Sequence, residues 1–128
     1  MTESARQKRK KLPNRQAYLC HRATSPTERQ AGGLIKRNLL PATPWGLNLQ
    51  EIELPLGAET GSYGETDQEI IWQILAGAGL MNLGDDQFAV IPGDVIYIRP
   101  TTAHHIRSMA NTPLRINCIT NQPRFPSP

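Results

Sequence analysis

The side chains that change charge near neutrality are three histidines, His21, His104 and His105. Two of them adjoin. On a strand, neighbours point to opposite faces, so only one of His104 and His105 can enter an interior. Acids gather in Gly64-Glu65-Thr66-Asp67-Gln68-Glu69, with Tyr63 just ahead, and Arg99 stands between Val95-Ile96-Tyr97-Ile98 and His104. An imidazole with carboxylates can hold a divalent cation or act as a pocket base, and a guanidinium can clamp an anion through its planar fork. Each residue also has a plainer account. His104 can be a hydrogen-bonded structural histidine, Glu65 and Glu69 a solvated loop, and Arg99 a surface charge. Tyr63 and Tyr97 can pack with their hydroxyls at the surface.

Other chemistries lack their residues. The glycines have no following Lys and helix to cradle a phosphate, there is no nucleophile elbow, and no paired-cysteine metal motif occurs. Cys20 and Cys118 are too few for a disulfide framework and read as buried free thiols, with Cys118 an inert thiol on the last strand. Trp45 and Trp72 read as core or interface anchors.

The elements that must position these groups are short and extended. Gly46 to Leu54 alternates and ends at Pro55 and Gly57. Ile70-Ile71-Trp72-Gln73-Ile74-Leu75 is nearly continuous in apolar character, which predicts a strand buried on both faces. Gly77 and Gly79 mark a bend, Gly84-Asp85-Asp86 a hairpin, and Pro92-Gly93-Asp94 another turn before Val95–Ile98. His104 to Met109 and Leu114 to Thr120 complete the pattern, with Leu114, Ile116 and Cys118 on one face of the last strand and Arg115 and Asn117 on the other. Tyr18-Leu19-Cys20-His21 is a short strand candidate. Leu34 to Leu40 is open between strand and helical turn. Short strands with turns every eight to twelve residues, and no amphipathic helix, predict an all-β sandwich or barrel.

With 128 residues, one domain and one modest core are expected. No apolar run is long enough to cross a membrane as a helix, and Arg6-Gln7-Lys8-Arg9-Lys10-Lys11 is unlike a secretory leader, so a soluble cytoplasmic protein is the expectation. The net charge of +3 is uneven: residues 1–40 hold ten Lys and Arg against two acids, and residues 41–128 hold four Arg against nine acids. The basic character therefore belongs to an arm, residues 1–16, expected to be disordered. Such a run can attract phosphates, but it has no aromatic side chain to stack on bases, and nucleic acid is not an expected partner. Residues 17–44 are expected to pack on a barrel formed by 45–121, or on a partner subunit, and 122–128 form a Pro-rich tail.

The stretch from Trp45 to Thr120 resembles the cupin superfamily, in particular its small single-domain cupin 2 members. Three segments carry the resemblance. Pro92-Gly93-Asp94-Val95-Ile96-Tyr97-Ile98-Arg99-Pro100-Thr101-Thr102-Ala103-His104 is similar to the second cupin motif. Gln73-Ile74-Leu75-Ala76-Gly77-Ala78-Gly79 is similar to the end of the first, and Asn111-Thr112-Pro113-Leu114-Arg115 to the final turn and strand. The resemblance implies a jelly-roll β-barrel of six to eight strands, often a homodimer, with a pocket at one mouth that commonly holds a divalent metal ion (Mn, Fe, Zn or Ni).

Matched to that family, both histidines of the first motif are replaced. Counting forward from Gly57, Tyr63, Glu65 and Glu69 fall at the spacing of its His, His and Glu; counting back from Gly77 lands on Ile70, one position off. A one-residue offset flips a strand side chain to the other face, so Glu69 points outward unless a bulge restores it. The implied metal set is Glu65, Glu69 and His104, and the implied ligand contacts are Tyr63, Tyr97, Arg99 and His104. The expected function is a small polar molecule bound in the barrel pocket beside a degenerate metal site. The alternative is a metal-dependent isomerase, lyase or dioxygenase acting on a small organic acid or sugar.

Overall fold

In a computed structural model of the chain, residues 10–11, 18–41, 43, 46–61, 67–109 and 111–121 are described. Eleven strands occur among them: β1 (Lys10–Lys11), β2 (Tyr18–Leu19), β3 (Thr27–Arg29), β4 (Ile35–Leu40), β5 (Leu47–Leu54), β6 (Glu69–Ala76), β7 (Gly79–Leu83), β8 (Asp86–Val90), β9 (Val95–Ile98), β10 (His104–Ser108) and β11 (Leu114–Asn121). Two single turns of 3-10 helix, Arg22–Thr24 and Ala31–Gly33, flank β3. All pairings are antiparallel. A six-stranded sheet runs β3-β4-β5-β11-β6-β9, a three-stranded sheet runs β10-β7-β8, and β1 pairs with β2 alone. This is the jelly-roll arrangement. The open segment at Leu34 to Leu40 resolves as a strand, because Ile35–Leu40 finds β5 as its neighbour. Most of the basic arm, the tail and Trp45 lie outside the described residues.

Where the turns fall is dictated by residue type. Gly84 and Gly93 take positive φ, of 59° and 96°, at the two hairpin turns where a side chain would be strained. The Asp94 carboxylate closes the second by accepting the Ile91 N–H at 2.8 Å. Gly77, at φ 79°, also lets the chain pass close to its neighbour: a Cβ there would stand 2.6 Å from the Pro113 carbonyl oxygen.

The inner face of the large sheet reads as successive rows, because register aligns residues far apart in sequence. Leu54 lies opposite Leu114; Ile52 opposite Ile116, which faces Ile74; Gln50 opposite Cys118, which faces Trp72; Asn48 opposite Thr120, which faces Ile70. The first two rows are sealed, and Met81 and Ile106 of the small sheet, both 0 % exposed, are buried in the same core. Each such side chain removed from water contributes roughly 1.5–3 kcal/mol of transfer free energy. The third and fourth rows turn polar.

β6 alternates buried Ile70, Trp72 and Ile74 with exposed Glu69, Ile71 and Gln73. It is therefore covered on one face, not on both as its apolar run predicts. Ile71 is 37 % exposed and lies on the outer surface.

That outer surface also carries a buried carboxylate. Glu51, 4 % exposed, accepts from Arg22 Nε at 2.9 Å and Nη2 at 2.7 Å, and from Arg115 Nη2 at 3.1 Å, with Arg37 Nε at 3.9 Å. The Arg22 hydrogen bonds, helped by Arg115 and opposed by burial, hold its pKa down at about 2. The cluster ties the turn at Arg22–Thr24 to β4, β5 and β11 from outside.

Candidate functional site

His104 opens β10 and follows a tight loop. Thr101 adopts φ 61°, which a β-branched residue rarely takes. The loop closes with the Thr102 N–H donating to the Arg99 carbonyl at 3.3 Å, and it turns the Thr102 carbonyl back onto the histidine. His104 Nδ1 lies 2.8 Å from that oxygen. A carbonyl only accepts, so Nδ1 carries the proton and the acceptor nitrogen of the neutral ring is Nε2. Burial lowers the His104 pKa, against the opposing effect of the Thr102 hydrogen bond. The ring is 3 % exposed and neutral at pH 7.

Trp72 comes to the histidine from the opposite sheet. The two ring centroids are 5.3 Å apart, edge to face at 80°. The Trp72 indole Nε1–H donates to Cys118 Sγ at 3.2 Å, across the register pair that joins β6 to β11. Burial raises the Cys118 pKa, so its sulfur is a thiol at neutral pH. Cys118, Trp72 and His104 thus form one chain of contacts across the cup.

These residues border a cavity of about 160 Å³. Its apolar walls are Ile52, Ile70 and Trp72, and its polar lining is Lys36, Gln50, Gln68, His104 and Cys118. It sits where the inner rows pass from leucine and isoleucine to glutamine, cysteine and threonine.

Of the residues expected from sequence to hold a metal or ligand, His104 alone is placed at this cavity by the described structure, where it joins Trp72 and Cys118. Glu69 lies on the outer face of β6, where its carboxylate accepts from the Tyr97 hydroxyl at 2.6 Å. No bulge turns it inward: Asn121 pairs with Glu69 in unbroken register down from Ile116. Tyr97, 49 % exposed, is on the same outer face. Arg99 is exposed and off the cavity wall, as alternation after inward Ile98 requires. Tyr63 and Glu65 lie outside the described residues. Among the described residues, no three His, Cys, Asp or Glu side chains come together in a way that could hold a metal ion.

Lys36, Gln50 and Gln68 were not legible as site residues. Lys36 reaches the cavity because it sits opposite Ile52, and Gln50 because it sits opposite Cys118. The signal for Gln50 is a polar residue on the inward side of β5, in step with Asn48, Ile52 and Leu54. Lys36 has no comparable signal.

Comparison with known proteins agrees with this architecture. The family described as "Cupin domain" matches residues 50–120. An uncharacterized protein of Methanocaldococcus jannaschii is 38% identical over 94 residues, covering 72% of this chain and 75% of that protein. Among solved structures, a protein described as a predicted oxalate decarboxylase from Thermotoga maritima superposes with a TM-score of 0.74 at 21% identity, covering 79% of this chain and 96% of that one. KdgF from a Halomonas species gives 0.71 at 16% identity, covering 81% and 94%. An RmlC-like cupin from Shewanella frigidimarina gives 0.70 at 16%, covering 80% and 88%. At these identities the structural matches speak to fold alone.

Proposed function

The chain belongs to the cupin family, and on that premise we propose that it binds a small polar molecule in the cavity beside His104. The observation that supports this most is the setting of His104, a buried neutral imidazole oriented by the Thr102 carbonyl at the edge of a cavity with polar lining. Such a ring accepts a hydrogen bond from a ligand N–H or O–H, while Ile52, Ile70 and Trp72 contact apolar atoms.

A Mn, Fe, Zn or Ni centre needs several anionic or imidazole donors converging on one point. The described lining supplies one imidazole nitrogen, neutral amides, and a thiol that burial keeps protonated. Among the described residues the donors do not fit a divalent ion, and no chemical step is routed through one here. Of the metal set implied by the resemblance, Glu69 faces outward and Glu65 lies outside the described residues, which leaves His104 at the cavity.

The test is calorimetric titration of the full chain with small organic acids, polyols and sugars, alongside metal analysis of the freshly purified protein. At least one compound is expected to bind with 1:1 stoichiometry. His104→Gln is expected to weaken it about tenfold, the value of one hydrogen bond of roughly 1.4 kcal/mol. Stoichiometric metal that disappears in His104→Ala would move the chain to the metal-dependent enzymes. Binding unaffected by His104→Gln would place the ligand elsewhere.

A further inference from the structure

The cluster around Glu51, on the outer face of the large sheet, gathers more guanidinium than one carboxylate can serve. Arg22 Nε and Arg115 Nη2 meet at Glu51 Oε1, at 2.9 and 3.1 Å. Arg22 Nη2 reaches Oε2 at 2.7 Å, and Arg37 Nε stops 3.9 Å from the same oxygen. Arg37 donates instead from Nη1 to the Arg22 carbonyl, at 3.2 Å. The Nε groups of Arg37 and Arg115 are buried with no acceptor. Among the described residues, Arg22 Nη1, Arg37 Nη2 and Arg115 Nη1 find none either. Guanidinium donors left without acceptors in a half-buried place favour a further anion beside them.

The charge balance points the same way. Glu53 is the second carboxylate nearby: it lies opposite Arg115, and its charge acts on Arg22. Arg29 stands in that row too, beyond Ile35. Four guanidiniums thus share this end of the sheet with two carboxylates, and every salt bridge among the described residues runs to Glu51. The guanidiniums can be reached from solvent: the side chains of Arg22, Arg115 and Arg37 are 50 %, 36 % and 23 % exposed, against 4 % for Glu51.

Geometry selects the anion. A second carboxylate has two oxygens and would meet two forks, as Glu51 does. A phosphate group points three or more oxygens to separate corners and carries up to two charges, so it can meet all three forks at once. We propose that Arg22, Arg37 and Arg115 form a site for a phosphate group, free or on a small monoester, over Glu51 on the outer sheet face. This site is separate from the cavity and does not depend on what the cavity holds.

The experiment titrates inorganic phosphate, phenyl phosphate and acetate calorimetrically into the full chain at pH 7.5. Chloride is adjusted to keep the ionic strength constant. Phosphate is expected to bind 1:1 and at least tenfold more tightly than acetate. Phenyl phosphate binding as tightly as phosphate assigns the monoester as the source, and phosphate binding alone assigns the free ion. Arg37→Gln and Arg115→Gln, each with its unfolding temperature measured, are expected to weaken phosphate binding tenfold or more. Each leaves Glu51 its two bonds from Arg22, so the fold is expected to survive. Arg107→Gln, at an exposed position on β10 of the small sheet, is expected to change nothing. No saturable binding, or phosphate and acetate binding alike, would overturn the site. So would equal weakening by Arg107→Gln, or undiminished binding in folded Arg37→Gln and Arg115→Gln.

Discussion

Glu51 takes up a proton only under strongly acidic conditions, because two guanidiniums donate to it and a third lies close. Its folded pKa of about 2 lies below the ordinary 4.5, so its contribution to stability is complete above pH 4.5 and drains away as pH falls towards 2. Urea midpoints measured from pH 6 to 2.5 should therefore fall less steeply for Glu51→Gln than for the unaltered chain. The variant should also be less stable at pH 6, since it leaves Arg22, Arg37 and Arg115 crowded without their counter-charge. Parallel curves would show that the carboxylate carries no such linkage. At this scale the sequence is informative where a residue sits inside a local pattern. His104 follows a proline-containing loop at the start of a strand, and Cys118 alternates with Arg115 and Asn117, so both directions can be read. Glu69 could be read only as a choice between two faces, and unbroken pairing with β11 decides it.

Turns and hairpins are the elements most legible from residue types alone, since Gly84, Gly93 and Gly77 stand where a positive φ is needed. Gly77 has two constraints at once, its backbone angle and the Pro113 carbonyl 2.6 Å from any added Cβ. Gly77→Ala should cost about 2–4 kcal/mol, as a lower urea midpoint with an unchanged slope. A loss under 1 kcal/mol would mean that the loop yields freely there. β4 was not legible because Lys36, Arg37 and Asn38 interrupt its apolar residues; its strand character comes from its neighbour β5. The continuous run in β6 misleads in the opposite way. An apolar stretch signals cover, but it cannot say whether that cover comes from the same subunit, and the outward residue Ile71 stays open in one chain.

Across the whole molecule, Ile71 belongs to a row on the outer surface in which Leu49 faces Ile119, Ile119 faces Ile71, and Ile71 faces Tyr97, with exposed Val95 on the same strand as Tyr97. Contiguous apolar surface of this kind is uncommon on a monomer. The homodimer expected for a small cupin would cover it, and sedimentation at micromolar concentration should give twice the chain mass, reverting to one in a Val95→Lys, Tyr97→Asp double variant. A single chain mass for the unaltered protein would discard the dimer. The interior has a different asymmetry. Leu54, Leu114, Met81 and Ile106 are each wholly buried and fill one end of the barrel, while the space beside His104 lies where the inner rows turn polar. Among the described residues that end is filled, so a guest held as proposed beside His104 would come and go by the polar end, each waiting for the one before it to leave.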